Sequence, residues 1–156
     1  MNKKNVLITG SNGFIGSNLR IKLIEKGYNV ETFTKKNTIK SLNEKIKKTD
    51  FIFHLAGVNR SKIKKKFKIV NIDLTKKICE TLSKKKKKVP IFFSSSTKVK
   101  SDKSIYSKSK FAAEKILKLH GLKKYPVIIS RIPNVYGKWS KPNYNSFIST
   151  CCNNMN

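Results

Sequence analysis

Acidic residues are scarce in this chain of 156 residues: eight aspartates and glutamates stand against 36 lysines and arginines, giving a formal net charge of +28. Arginine is scarce as well, limited to Arg20, Arg60 and Arg131. Surfaces that read nucleic acid combine arginines with aromatics, and neither lysine run, 64–66 or 84–88, contains an aromatic. The lysines are therefore read as solvated positions of a lysine-biased chain. Specific nucleic-acid binding is not expected, whereas salt-sensitive, non-specific attraction to polyanions is. No apolar run reaches membrane-spanning length, and Met1-Asn2-Lys3-Lys4 leads straight into a strand, which argues against a signal peptide or membrane anchor. The three cysteines (Cys79, Cys151, Cys152) lack metal-ligand spacing, as do His54 and His120. Reduced thiols, no metal and a cytoplasmic setting are the expectation.

Glycine is also uncommon, with seven residues, yet three of them fall in Thr9-Gly10-Ser11-Asn12-Gly13-Phe14-Ile15-Gly16, directly after the apolar run Val6-Leu7-Ile8. An apolar strand entering a glycine-rich turn that opens a helix is a phosphate cradle. Gly10 permits the sharp turn, Gly13 has no Cβ to block a pyrophosphate, and Gly16 permits close packing of helix and strand. The helix itself carries Ile15, Leu19, Leu23 and Ile24 on one face, and its free N–H groups point at the phosphates.

Downstream, strand and helix signals alternate. Residues 28–33 read as a strand and 38–48 as a helix, with Ile39, Leu42 and Ile46 at helical spacing. Residues 51–55 form a buried strand, and Phe67, Val70, Leu74, Ile78 and Leu82 mark an amphipathic helix. Residues 91–93 are a strand ending in Ser94-Ser95-Ser96, 106–120 a helix, and 127–129 a further strand. This alternation predicts a doubly wound α/β domain with a parallel sheet, a single dinucleotide-binding domain over residues 1–156. The lysine run at 84–88 precedes a strand, so it lies away from the strand C-termini where ligands bind.

Tyr106 and Lys110 are four residues apart and share one helix face. A lysine cation beside a phenol favours the phenolate and suits tyrosine to acid–base work near neutral pH. Asn71 points with the buried face of its helix, and either bonds the neighbouring backbone or reaches the active site. Where NAD-binding chains place an acid after the second strand, this one has Thr34-Lys35-Lys36, with Glu31 inside the strand. A cation there suits a 2′-phosphate, so NADP(H) is the expected cofactor and NAD the alternative. His54 reads as a strand-end packing residue, and His120 as a helix C-terminal residue favoured by the dipole.

With these motifs in hand, the sequence resembles the extended short-chain dehydrogenases/reductases, the NAD-dependent epimerase/dehydratase family, whose Gly-x-x-Gly-x-x-Gly falls on Gly10, Gly13 and Gly16 and whose Tyr-x-x-x-Lys falls on Tyr106 and Lys110. The resemblance implies a Rossmann fold in which Tyr106 exchanges a proton with a sugar oxygen. Lys110 would lower the tyrosine pKa and bind the nicotinamide ribose, while Ser96 polarises the same oxygen, with Thr97 as a stand-in. The cofactor side would comprise Gly10, Asn12, Gly13, Phe14, Ile15, Gly16, Lys35, Leu55, Ala56, Gly57, Asn71 and Pro133, beside Tyr106 and Lys110. Asn71-Ile72-Asp73-Leu74-Thr75 lacks the glycine of the family's Asn-Val-x-Gly-Thr, and the acidic pair that dehydratases carry beside the serine does not follow Ser96.

Residues 54–60, the short span from Ser96 to Tyr106, residues 131–146 and the short connection 34–50 are similar to the family's capsular-polysaccharide reductases. These use NADPH to reduce C4 of a UDP-4-keto-6-deoxy-hexosamine on the route to UDP-N-acetyl-L-fucosamine, ahead of a C-terminal cupin domain. The likeness implies that Asn59, Arg60, Asn134, Lys138, Asn143 and the rest of loop 138–145 face a nucleotide sugar, and that the complete protein is a homodimer. The plain reading of Trp139 and Tyr144 is packing beneath that loop. Family chains are longer, so most of the substrate lobe is expected to be missing, and dinucleotide binding is expected to exceed turnover. The rivals are a nucleotide-sugar 4-epimerase or 4,6-dehydratase holding NAD, and a non-catalytic dinucleotide- or polyanion-binding protein.

Overall fold

The computed structural model describes residues 3–84, 88–144 and 146–155. The middle of the second lysine run (85–87), Asn145 of the expected substrate loop and Asn156 lie outside them.

Five strands, β1 (Asn5–Thr9), β2 (Asn29–Phe33), β3 (Phe51–His54), β4 (Ile91–Ser96) and β5 (Val127–Ile132), pair in the order β2-β1-β3-β4-β5, every pair parallel. The helices are α1 (Phe14–Glu25), α2 (Ile39–Lys48), α3 (Lys65–Phe67), α4 (Leu74–Lys84), α5 (Lys98–Ser101), α6 (Ile105–Leu122) and α7 (Phe147–Asn154). The chain winds one way from β1 to β2 and the other way from β3 to β5. The crevice between the C-terminal ends of β1 and β3 is therefore the switch point where ligands of such sheets bind.

Side chains alternate across each strand, and the two faces are covered unequally. Leu7, Ile52, Ile91 and Phe93 pack with Leu42 and Ile46 of α2, Ile78 and Leu82 of α4, and Ala113 and Leu117 of α6 in the larger core. On the opposite face Val6 and Ile8 pack with Leu23 of α1 and with Phe51 and Phe53. Cover on that face thins toward the edge strand: in one register row, Ile8 is fully buried whereas Ile128 of β5 is 52% exposed. Ile24 does not join the buried face of α1 as its spacing suggested. It is 57% exposed, because its neighbour Leu23 takes the position beneath β1.

Between α3 and α4 the helix widens into a π segment, Lys68–Asp73, in which the Leu74 N–H reaches back five residues to the Ile69 carbonyl. Periodic spacing from Phe67 to Leu82 predicts one regular helix here. The widening turns Asn71 wholly inward. Such segments cluster at functional sites.

Candidate active site

The glycine turn is built for close backbone approach. Gly10 adopts φ +74, and a Cβ there would stand 2.7 Å from the Ala56 Cα on the adjacent β3 loop. At Gly16 a Cβ would lie 2.2 Å from the Gly10 carbonyl oxygen. Gly13 has extended backbone and caps α1 with no side-chain hydrogen bond, and no acidic residue occupies the first turn of that helix. Four N–H groups at a helix start have no helical partner. Among the described residues no side chain caps this end and no acid stands in its first turn, so the donor set and the positive dipole end fit the pyrophosphate of a dinucleotide.

This turn forms one wall of a cleft of about 1310 Å³ that also takes in Leu55, Gly57, Asn59, Arg60, Ser96, Tyr106, Lys110, Pro133 and Asn134. On the facing wall, β4 runs through all three serines and delivers Ser96 to the first turn of α6. Burial raises the Tyr106 phenol above its ordinary value, and the neighbouring Ser96 hydroxyl acts against that shift by favouring the phenolate. Lys110 is almost wholly buried. Its ammonium donates to the Ser94 carbonyl at 2.7 Å and lies 4.6 Å from the centre of the Phe93 ring. Burial lowers its pKa to about 8, and the Glu114 carboxylate opposes that shift. The expected depression of the phenol by Lys110 is thus not what the side chains produce on their own. The lysine is committed one turn deeper, and the side chain acting on the phenol is Ser96.

Asn71 resolves toward its structural alternative. Its amide donates to the Val58 carbonyl (3.0 Å) and the Ser109 hydroxyl (2.8 Å) and accepts from the Val58 N–H (2.8 Å). Ser109 in turn donates to the Tyr106 carbonyl, so the amide ties the loop after β3 to the first turn of α6. Behind it lies fully buried His54, bonded through Nδ1 to Thr9 at 2.7 Å and through Nε2 to Thr75 at 2.8 Å. Thr75 spends its only proton on the Asn71 carbonyl, so Nε2 of His54 must be the donor and Nδ1 the acceptor. Burial, with the Lys110 charge adding to it, lowers the His54 pKa to about 3 and keeps the ring neutral. His54 packs at its strand end as expected. His120 lies in the last turn of α6 as expected, but it is buried and stacked 4.1 Å from Tyr125, and burial lowers its pKa where the dipole was expected to favour its charge.

The sequence pattern of the NAD dependent epimerase/dehydratase family matches residues 6–156. The chain belongs to this family. It is 45% identical over 152 residues to a UDP-2-acetamido-2,6-beta-L-arabino-hexul-4-ose reductase of Pseudomonas aeruginosa, covering 96% of this chain and 41% of the relative. Among solved structures it is similar to CapF, a capsular polysaccharide assembling protein of Staphylococcus aureus, with 35% identity and a TM-score of 0.75 over 95% of this chain and 39% of that one. A short-chain dehydrogenase/reductase superfamily protein of Agrobacterium tumefaciens with bound NAD shares the fold at a TM-score of 0.79 and 19% identity, over 94% of this chain and 54% of its own. The chain thus spans well under half the length of the Pseudomonas and Staphylococcus relatives.

In this epimerase/dehydratase chain the remaining sequence-selected residues divide. Asn12, Phe14 and Ile15 line the cleft with the glycines. Lys35, Ala56, Asn71, Lys138 and Asn143 are not among the described residues that line it. Lys35 is exposed beyond β2, in a turn whose Thr34 N–H donates to the Asn37 side-chain oxygen Oδ1. Ala56 backs the Gly10 turn, and the Lys138 carbonyl accepts from Asn18 of α1. Asn143 is tied through its backbone to Thr150 of α7. Across the mouth, the Tyr144 hydroxyl donates to Asn59 at 2.6 Å and Arg60 lies 5.7 Å from the Tyr144 ring, so Tyr144 is a lining residue rather than buried packing. Sequence reasoning missed one polar cluster altogether. Glu114 of α6 accepts from Arg131 of β5 and from Ser95. Its signal was available: one of only eight acids, placed four residues after Lys110.

Proposed function

We propose that this chain carries the cofactor-binding and proton-transfer half of an NADPH-dependent reductase acting at C4 of a UDP-4-keto-6-deoxy-hexosamine, a step supplying surface-polysaccharide precursors. The observation that carries the reading is the convergence of Ser96, Tyr106 and Lys110 on one wall of the cleft, opposite a helix start left bare of caps and acids. The activity printed for the Pseudomonas relative supports the substrate class. A bound nicotinamide supplies the hydride for C4. Tyr106 passes its phenolic proton to the C4 oxygen as that oxygen gains charge. Ser96, beside the phenol on the cleft wall, stabilises the phenolate left behind. Buried Lys110 holds positive charge beside the reacting groups below its pKa of about 8. In this reading Asn59 and Arg60, which line the mouth, take the nucleotide-sugar diphosphate.

NADP(H) rather than NAD is supported at the end of β2. Glu31, the acid nearest that end, is paired with Lys45, and exposed Lys35 follows the strand. The test is direct. Titration of the chain with each dinucleotide should show NADPH binding more tightly than NADH, with Lys35→Glu reversing the order; an NADH preference would overturn the cofactor assignment. Mixed with NADPH and the 4-keto sugar in single turnover, Tyr106→Phe should slow loss of the 340 nm absorbance by about 10²–10⁴-fold while dinucleotide affinity holds. Unchanged kinetics in this variant would remove Tyr106 from the chemistry.

A further inference from the structure

Glu114 is 1% exposed, in a chain with few acids, and sits one helical turn beyond Lys110. The obvious partner for a buried carboxylate in that position is the buried ammonium on the same helix face. The structure does not make that pair. Arg131 Nε donates to Oε1 at 2.9 Å and Nη2 to Oε2 at 2.7 Å, a two-pronged grip, and the Ser95 hydroxyl donates to Oε1 at 2.5 Å. Both carboxylate oxygens are engaged. Lys110 instead donates to the Ser94 carbonyl and rests on Phe93, its ammonium 3.1 Å from where a Gly57 Cβ would stand on the cleft side. Among the described residues, the other titratable or charged groups on its side are neutral His54 from β3, Tyr106 on its own helix, and Arg131 on β5 beyond Glu114. From the π segment, neutral Asn71 lies beside it at Gly57, while Lys68 and Asp73 pair with each other.

We propose that Glu114 and Arg131 are positioning residues for Lys110: Arg131 and Ser95 hold the carboxylate near enough to sustain the lysine's charge but keep it from forming the ion pair that would withdraw the ammonium from the cleft. The pair also ties α6 to the end of β5, two residues before Pro133 on the cleft wall. Glu114 lies below its ordinary carboxylate range, chiefly through the Arg131 hydrogen bonds, so the counter-charge is present across the working pH range. The inference rests on the reading of Lys110 as an active-site residue.

Two variants should move Lys110 in opposite directions. Glu114→Gln removes the counter-charge, and the Lys110 pKa, followed through its side-chain carbon resonances in ¹³C-lysine-labelled protein and assigned with Lys110→Met, should fall by roughly one unit. Arg131→Gln frees the carboxylate to capture the ammonium, so the same resonance should titrate higher by a similar amount. NADPH affinity should weaken roughly tenfold as a charged hydrogen bond is diverted. A purely structural pair would shift both variants alike or neither, and either result overturns the proposal. Should Arg131→Gln fail to fold, Arg131→Lys keeps the charge and loses the two-pronged grip, and its expected shift has the same sign. If Lys110→Met leaves NADPH affinity unchanged, the functional reading fails at its base. If that variant loses affinity while the pKa shifts do not diverge, only the present inference fails.

Discussion

Two helices begin at the same cleft in opposite ways. α1 starts on Gly13 with no side-chain cap and no acid in its first turn. α6 starts on Ser104, whose hydroxyl accepts from the Ser107 N–H, and Asp102 accepts from the Ser104 N–H, the Ser104 hydroxyl and the Ser107 hydroxyl. Those bonds, led by the Ser104 hydroxyl, hold the Asp102 carboxyl below its ordinary range. One helix end is left for an outside anion, and the other is already satisfied. What α6 offers the cleft is therefore side chains, Tyr106 and then Lys110, rather than backbone. The two walls accordingly fail by different routes. The backbone-built wall fails when atoms are added at its glycines, and the side-chain-built wall when Tyr106 or Lys110 loses its hydroxyl or charge.

The largest break in that contrast is Gly16→Val. With a Cβ forced against the Gly10 carbonyl, urea denaturation should show a loss of about 3 kcal/mol or more, together with loss of dinucleotide binding. Next comes the joint between the walls, His54. Its folded pKa of about 3 lies below the ordinary 6.5, so between these values the unfolded chain binds more protons than the folded one. The stability it contributes is complete above about pH 6.5 and is lost as the pH falls toward 3, by roughly 1.4 kcal/mol per pH unit at most. Denaturation midpoints taken across that window should flatten in His54→Gln; an unchanged slope would place the acid sensitivity elsewhere. The smallest effects separate the two helix ends most cleanly. Ser104→Ala should cost about 1 kcal/mol with dinucleotide affinity intact. Asn12→Asp places an acid at the bare end and should leave stability within about 1 kcal/mol. It should nonetheless weaken NADPH binding measurably in a calorimetric titration.

The backbone wall was legible from sequence because its requirements are local: a strand, three glycines at fixed spacing, then a helix. Tyr106 and Lys110 were legible for the same reason, as one face of one helix. The less accessible features depend on contacts made across the sheet. Spacing alone gives Asn71 an inward direction, but not the π widening or the Val58 backbone it clamps. The Glu114–Arg131–Ser95 cluster joins residues from α6, β5 and β4, which no periodic pattern brings together. Lys110 shows the same limit: its place on the helix was readable, whereas its commitment to the Ser94 carbonyl rather than the phenol is set by the depth of β4. Loop 138–144 gave residue types suited to a sugar nucleotide, but only the fold distinguishes Tyr144 on the cleft from Lys138 and Asn143 beside it.

The all-parallel sheet has a consequence for the order in which the molecule assembles. No two of its strands are joined by a hairpin, so every pairing waits for a crossover to close, and such non-local pairings form slowly. β1 meets β2 once the chain has reached Phe33, and the Gly10 N–H is then held by the Phe33 carbonyl at 3.0 Å. The floor beneath Lys110 needs Arg131, about a hundred residues later in the chain. During synthesis from the N-terminus the phosphate cradle thus has its scaffold long before the proton-transfer wall exists, and an anionic ligand captured early would act as a template for the half that follows.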